Sequence, residues 1–347
     1  MRTRWLVLAT TLTTTAAMLA SGAGAAAPSA TDPRLPGGGL RITGFAVTGE
    51  TSVGTVRDNA PALDTLSVAG ITVKRTGADV TQPVGDTNTL LNGANDLGLR
   101  SELLVSNYDN RLGDFRAQTA ANLLRSPANR RTAARAIAQI LRDHQWSDVN
   151  IDLERLRAAD APGLVAFVQQ VKRQVVSLRG MVPQVTVDVG ARTSLADYKA
   201  AGFALGPLGT VADRLVLMGY DLHGPTWSKP GPIGPLPWVR RTLDVMQTRV
   251  ESSKIDLGIA GYGYTWPRQG TGKVISTERA RELVVNFGVE AVYHERVAEW
   301  SGRLENGTVL WWSDLQSFDA RAQLADDEGL HGVAVWRLGL ADSLVQP

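Results

Sequence analysis

Hydrophobic positions along the chain follow two alternating periods. Eight short apolar runs, several with a period of two, are typical of β-strands; they cover residues 41–47, 63–74, 100–108, 148–154, 184–191, 214–221, 255–266 and 332–339. Intervening segments such as "GLVAFVQQVKRQVVSL" place apolar residues at helical spacing instead. Eight strands alternating with helices predict an α/β fold, a (β/α)8 TIM barrel. A doubly wound open sheet is the structural alternative, but no glycine-rich phosphate loop follows any early strand.

The interval before the eighth run is too long for a single helix. Residues 267–331 contain Asn306-Gly307 between two β-rich runs, and this dipeptide is a strong hairpin signal. We therefore predict a small β-containing insertion between strands 7 and 8, at about residues 267–331, which walls one side of the barrel mouth. The rest of 38–347 is predicted to form the barrel itself.

The N-terminal segment has a different composition. Arg2 and Arg4 precede the apolar run "WLVLATTLTTTAAMLA", and the small residues of "SGAGAAAPSA" follow it. This order predicts a secretory signal peptide within residues 1–30, followed by a flexible linker. A retained membrane anchor is the alternative, although the apolar run is shorter than the ~18 residues that a spanning helix needs. We expect the mature protein to be secreted, either free or associated with the cell wall.

Composition and charge exclude several classes of function. The 347 residues carry a net charge of +2 and no basic block, so nucleic-acid binding has no electrostatic support. Cysteine is absent, and the four histidines show no ligand spacing, so we predict no disulfide, no metal and no cofactor. We expect a monomer that stays off the membrane once the signal peptide is cleaved.

The fourth run, "VNIDLE", contains acids that are unusual for a buried strand. Its period of two directs Asn150, Asp152 and Glu154 to one face, although strands of a parallel sheet are usually apolar on both faces. Glu154 ends the strand, where barrels of this kind carry their chemistry. Partial burial and a neighbouring carboxyl raise the pKa of an acid, as proton donation to a leaving group requires. The alternative is that Glu154 caps the next helix and Asp152 is a satisfied buried acid.

Aromatic residues follow the later strands at the same predicted edge. Tyr220 and Asp221 end the sixth run, and Trp336 ends the eighth. The seventh run ends with Tyr262, Tyr264 and Trp266. Aromatic faces beside acids suit a sugar ring, whose CH faces stack on rings while its hydroxyls find polar partners. For any one of these aromatic residues taken alone, packing within the core is the alternative role.

Three segments in the right order resemble the signature motifs of glycoside hydrolase family 18, the chitinase-like barrels. They are "SDVNIDLE", "LMGYD" and "GVAVWRLG". The longer segments "MGYDLHGPTWSKPGPIGPLPWVRRTLDVMQTRVESSKIDLGIAGYGYTW" and "VLWWSDLQSFDARAQLADDEGLHGVAVWRLG" resemble the branch of bacterial spore-cortex and cell-wall lytic glucosaminidases. The resemblance covers about residues 41–342.

The resemblance implies a role for each matching residue. Glu154 matches the general acid/base, and Asp152 the acid that orients the substrate's N-acetyl group, which acts as the nucleophile. Tyr220 matches the tyrosine that hydrogen-bonds this group, and Trp336 the floor under the distorted sugar. Together with the aromatic residues above, the predicted substrate-binding set is Asp221, Asn150, Trp336, Met218, Tyr262 and Trp266.

The chain departs from the family pattern at two positions. Ser147 stands where the first Asp of the strand-4 motif is expected, and Asn150 replaces the middle Asp. An asparagine cannot share a proton with Asp152, so the pH profile is expected to differ from that of chitinases. The cell-wall branch commonly carries the same asparagine, but the chain lacks the upstream wall-binding repeats often found there.

The resemblance predicts a secreted glycosidase that cleaves β-1,4 linkages of glycans containing N-acetylglucosamine, with retention of configuration. Peptidoglycan or its fragments and chitin oligomers are the candidate substrates. A chitinase-like barrel that binds such glycans without cleaving them is the alternative from another class. The sequence does not distinguish endo from exo action.

Overall fold

Eight parallel strands close into a barrel in the computed structural model, which describes residues 39–176 and 182–345. The predicted signal peptide and most of the linker lie outside these residues. The strands are β1 (Arg41–Val47), β2 (Thr65–Thr72), β3 (Arg100–Ser106), β4 (Asp148–Asp152), β5 (Val185–Gly190), β6 (Arg214–Met218), β7 (Ile255–Ala260) and β8 (Gly332–Trp336). Each pairs with the next in chain order, and β8 closes on β1 with Ile42 opposite Val333. The predicted (β/α)8 fold is confirmed.

Helices alternate with the strands, and most bury one apolar face against the outside of the barrel, whereas Thr277–Asn286 packs on the inserted sheet. They span Val53–Asn59, Gly85–Asp96, Ala117–Arg125, Pro127–His144, Ala161–Val175, Leu195–Ala200, Leu205–Val211, Leu236–Gln247, Thr277–Asn286 and Leu315–Asp327. The helix at Pro127–His144 shows the local rules: the Ser126 side chain caps its first turn, and Gln145 ends it with a left-handed φ of 63°. Among the described residues, no helix is both long and apolar enough to cross a membrane.

The barrel interior is layered. Buried side chains from four strands form an apolar layer: Phe45, Leu104, Val216 and Ala334. Nearer the N-terminal ends of the strands, Arg214 lies between the buried acids Glu102 and Asp256. This packing fills the lower part of the barrel, below the C-terminal ends of the strands.

The insertion between β7 and β8 is a five-stranded antiparallel sheet. In spatial order its strands are Val274–Ile275, Gly263–Trp266, Val309–Trp312, Glu299–Arg303 and Val292–His294. The predicted turn at Asn306-Gly307 joins two of these strands, and Gly307 has a φ of 83°, which a glycine adopts without strain. The predicted β-containing insertion is therefore confirmed.

The prediction of one continuous strand over 255–266 is wrong. The barrel strand ends at Ala260, after which the Gly261 amide donates to the carbonyl of Trp336, and Gly263–Trp266 pairs within the inserted sheet. The bounds of the insertion also differ from the predicted 267–331: the inserted sheet starts before residue 267 and ends at Trp312. The helix Leu315–Asp327 that follows packs on β7 and β8 and so belongs to the barrel. The large apolar residues change phase at Gly261, from Ile255, Leu257 and Ile259 to Tyr262, Tyr264 and Trp266, so the sequence pattern does carry a sign that the pairing partner changes.

Candidate active site

The predicted acids lie at the C-terminal mouth of the barrel. Asp152 is the last residue of β4, and Glu154 follows it by two positions. Glu154 borders a cleft of about 380 Å³, whose other lining residues are Gly190, Ala191, Arg192, Thr193, Asp197, Met218, Tyr220, Asp221, Leu222 and Trp238. A smaller cavity of about 120 Å³ shares Glu154, Arg192 and Met218 with it. The structure therefore brings the β4 acid together with the residues that follow β6.

A buried asparagine fixes the backbone of Glu154. Asn107 follows β3, the neighbour of β4, and its Oδ1 accepts the amide N–H of Glu154 at 2.9 Å. Its Nδ2 donates to the carbonyl of Glu154 at 3.0 Å and to that of Arg116 at 3.1 Å. Asn107 is not among the predicted site residues, and its sequence signal is its position directly after the apolar strand β3.

The environment of Glu154 favours the protonated acid. Burial, followed by the negative charge of nearby Asp221, raises the pKa of Glu154 to about 7. The positive charges of Arg155 and Arg192 oppose this rise without cancelling it. A carboxyl group with such a pKa is protonated in a large fraction of molecules near neutrality, as a proton donor must be.

Asp152 lies deeper than Glu154 and is almost fully buried. Burial raises its pKa well above the ordinary value, with further contributions from the charges of Glu154 and Asp188. Its Oδ1 has no hydrogen-bond partner among the described residues. A buried acceptor without a partner is costly, and this oxygen is not exposed at the surface of the cleft.

Asn150 lies below the acids and is 0% exposed. Its Nδ2 donates to Oδ1 of Asp188 at 2.9 Å, so its amide is directed to the neighbouring strand β5. Asn150 therefore contacts Asp188 and does not line the cleft, and its role as a substrate-binding residue stays a prediction. Asp188 was missed, although an acid inside the apolar run "VTVDVG" is a sequence signal of the same kind as Asp152. Ser147 precedes β4 and lies at the far end of that strand.

Two tyrosines hold Asp221 at the rim of the cleft. The Tyr262 hydroxyl donates to Oδ1 of Asp221 at 2.5 Å and the Tyr264 hydroxyl at 2.9 Å. Burial raises the pKa of Asp221, and these two hydrogen bonds lower it. The Tyr220 ring packs edge-on against Tyr262 with 6.4 Å between centroids, and Tyr220 also lines the cleft.

The aromatic residues that follow β7 support the site from behind. Tyr262 and Trp266 are buried, and neither lines the cleft. The Trp266 indole N–H donates to the carbonyl of Ser228 at 3.3 Å, while its ring packs against Tyr264. Tyr262 thus helps to position Asp221, and Trp266 the loop after β6, while their contact with substrate stays a prediction.

Trp336 ends β8 and stays half-buried above the apolar layer of the barrel. Its ring meets Phe45 edge-on at 5.3 Å, and it packs beside the same aromatic cluster as Tyr220. Trp336 and Tyr220 therefore lie on the same side of the molecule as the acids.

The loop after β6 contributes one wall and one exposed ring. Trp238 lines the cleft from the start of a helix but is mostly buried. Trp227 is 53% exposed and meets Tyr264 edge-on at 5.8 Å. His223 lies 2.7 Å, through its Nδ1, from the carbonyl oxygen of Pro232, so it stabilises the loop.

Comparison with known proteins places the chain in a family. The model of Glycosyl hydrolases family 18 matches residues 114–341, which is more than half of the chain. YdhD of Bacillus subtilis (strain 168), a candidate sporulation-specific glycosylase, is 28% identical over 236 residues, which are 66% of this chain and 55% of YdhD. The chain thus spans about half the length of that relative. The cortical fragment-lytic enzyme of Bacillus anthracis is 25% identical over 84% of this chain and 68% of that protein.

Solved structures show the same fold. The chitinase of Chromobacterium violaceum superposes with a TM-score of 0.78 at 24% identity, covering 87% of this chain and 95% of that one. The spore cortex-lytic enzyme SleL of Bacillus cereus gives a TM-score of 0.76 at 21% identity, covering 87% and 71%. With the family model matched over most of the barrel, this chain belongs to glycosyl hydrolases family 18.

Proposed function

We propose that the protein cleaves β-1,4 linkages of N-acetylglucosamine-containing glycans by a substrate-assisted, retaining mechanism. The observation that carries this proposal is the position of Glu154 at the edge of an open cleft beside Tyr220 and Asp221, where burial raises the pKa of Glu154 to about 7. In the proposed reaction Glu154 protonates the glycosidic oxygen as the bond breaks. It then removes a proton from the water that hydrolyses the intermediate.

No second carboxyl is placed as a nucleophile in this proposal. Asp152 lies two positions before Glu154 at the barrel mouth and matches the orienting acid of the family motif, so we propose that its carboxyl accepts a hydrogen bond from the amide N–H of a 2-acetamido group. The carbonyl oxygen of that group then attacks the anomeric carbon, and Asp152 stabilises the positive charge that develops. The Tyr220 hydroxyl holds the same carbonyl oxygen, and Trp336 forms the floor under the ring. Only sugars with a 2-acetamido group are expected to react.

The names of the relatives support two candidate polymers as the substrate. The relatives named for lysis of cortical fragments support a cell-wall glycan, and the chitinase relatives support chitin oligomers. Both polymers contain N-acetylglucosamine. The signal-peptide pattern supports secretion, with the mature enzyme acting as a monomer outside the cell.

The proposal is tested with purified peptidoglycan and chitin oligomers as substrates. We expect new reducing ends on at least one of them, and proton NMR is expected to show the β-anomer as the first product. Mass spectrometry of the products then identifies the sugars on either side of the cut bond. Glycan binding without any release of reducing ends would favour the non-catalytic alternative, and an α-anomer formed first would reject the retaining mechanism.

A further inference from the structure

A buried ion pair behind the site connects the inserted sheet, the helix Leu315–Asp327 and the loop that follows β6. Glu299 begins a strand of the inserted sheet and is 0% exposed, and Arg321 on the helix Leu315–Asp327 is 1% exposed. Arg321 Nη2 lies 2.9 Å from Glu299 Oε1. Arg321 also donates to the carbonyls of Ala298 and Ser317, at 3.0 and 2.8 Å. The guanidinium is therefore held by one carboxylate and two backbone carbonyls.

The pair is directed at the loop that follows β6. The amide of Ile233 donates to Oε2 of Glu299 at 2.6 Å, and the amide of Gly234 donates to Oε1 at 2.7 Å. Arg321 donates to the carbonyl of Gly234 as well. One carboxylate and one guanidinium thus satisfy three backbone groups of two consecutive loop residues. A pair of apolar side chains of similar volume would fill the space but would leave these groups without partners.

The same two loop residues rest on the segment that carries Tyr220 and Asp221. The Leu222 amide donates to the carbonyl of Ile233 at 2.8 Å. The backbone of Gly234 approaches so closely that a Cβ there would lie 2.2 Å from the carbonyl oxygen of Gly219. The Ile233 side chain is fully buried in the aromatic cluster against which Tyr220 and Trp336 pack. A shift of this loop would therefore displace Tyr220 and Asp221.

We propose that Glu299 is a positioning residue for catalysis: it holds the Ile233-Gly234 loop against the β6 segment and so fixes Tyr220 and Asp221 in the cleft. Glu299 touches neither substrate nor the reacting atoms; it acts through the loop. The inference rests on the proposed function, because it assigns a cause for the placement of residues that this function uses.

The test compares two isosteric variants of the full mature chain, Glu299→Gln and Asp148→Asn. Asp148 is the matched control: it is fully buried, pairs with Arg100 and accepts the Gln184 amide at 2.7 Å. It begins β4, so it lies at the opposite end of the strand from Asp152. Both variants are expected to lower the melting temperature. Only Glu299→Gln is expected to lower kcat, by roughly 10- to 100-fold with a smaller change in KM, because small misplacement of catalytic groups costs rate.

Three outcomes are informative. A kcat for Glu299→Gln within about 2-fold of the Asp148→Asn value, measured well below both melting temperatures, overturns the inference. If Glu299→Gln does not fold, Glu299→Asp decides the question: it keeps the charge opposite Arg321 but withdraws the carboxylate from the loop, and an unchanged kcat overturns the inference equally. A wild-type enzyme without activity on any glycan rejects the proposed function and the inference together, whereas an active wild type with unaffected variants rejects the inference alone.

Discussion

At the scale of single residues, the site depends on acids that the barrel keeps away from water. Asp152 and Glu154 occupy alternate positions at the end of one strand, but Asp152 is the more deeply buried of the two. Asp152 is enclosed beside Asp188, and Glu154 reaches the cleft. Differences of this kind between two neighbouring carboxyls let one act as proton donor while the other orients the substrate.

Replacing Asp152 by asparagine tests the orienting role. The amide has the same shape but cannot stabilise the positive charge that develops next to the acetamido group. We expect kcat to fall by roughly 10²-fold or more, with little change in melting temperature. A variant in which only KM doubles would show that Asp152 has no such role.

Replacing Asn107 by alanine tests how the Glu154 backbone is held. The change leaves the amide and the carbonyl of Glu154 without their partner at 2.9 and 3.0 Å. We expect a loss of about 1–3 kcal/mol in the free energy of unfolding for buried groups left unpaired. We also expect a lower kcat, because Glu154 loses its fixed position. Chemical denaturation and initial rates measure the two effects, and a full kcat despite reduced stability would remove Asn107 from the catalytic arrangement.

At the scale of elements, the inserted sheet is part of the active site. Tyr264 lies on its strand Gly263–Trp266, and Tyr262 directly precedes that strand. Their hydroxyls both reach Asp221, which follows a barrel strand. The insertion therefore supplies polar contacts to the cleft rim and is more than a passive wall.

The variant Tyr264→Phe should shift the pH profile. Loss of its hydrogen bond raises the pKa of Asp221 further, so Asp221 is more often neutral. Because the charge of Asp221 raises the pKa of Glu154, that pKa then falls. The basic limb of kcat/KM, where Glu154 loses its proton, is expected to move to lower pH. Tyr293→Phe, elsewhere on the same sheet, is the control and should leave the limb in place; a limb that moves upward in Tyr264→Phe would contradict this coupling.

The sequence predicts the elements better than it predicts their contacts. All eight barrel strands follow from local apolar patterns, and the residues at the ends of β4, β6 and β8 follow from where those strands stop. Asn107, Asp188 and Glu299 were missed because each acts on a residue 38 to 66 positions away. No pattern within a strand records such a pairing. The strand change at Gly261 differs from these cases, because the large apolar residues shift from odd to even positions there and the prediction treated both halves as one strand.

At the scale of the whole molecule, several buried acids have a raised pKa and therefore make the stability of the fold depend on pH in the same direction. Burial raises the pKa of Glu299 to about 7, despite Arg321 and two backbone donors, and the pKa of Glu154 also rises to about 7. Asp152, Asp188 and Glu102 shift in the same direction, again mainly through burial. The folded protein therefore binds protons more tightly than the unfolded chain at these sites.

The melting temperature should accordingly fall as pH rises from about 5 to 8. The sign follows from linkage: for a glutamate of ordinary pKa 4.5 raised to about 7, the stabilising contribution is complete below 4.5 and is lost as pH rises through 7. Calorimetry across this range measures the trend, and the Glu299→Gln variant should show a shallower fall. A melting temperature that rises steadily from pH 5 to 8 would mean that other groups govern stability.

The most direct test of the whole account is the hydrolysis rate of Glu154→Gln on whichever glycan the wild type cleaves. The amide keeps the shape of the side chain but cannot donate the proton. We predict a kcat that falls by about 10²- to 10⁴-fold while the melting temperature and the affinity for the uncleaved oligosaccharide stay close to those of the wild type. A variant that turns over at the wild-type rate would contradict the assignment of Glu154 as the general acid, and with it the proposed mechanism.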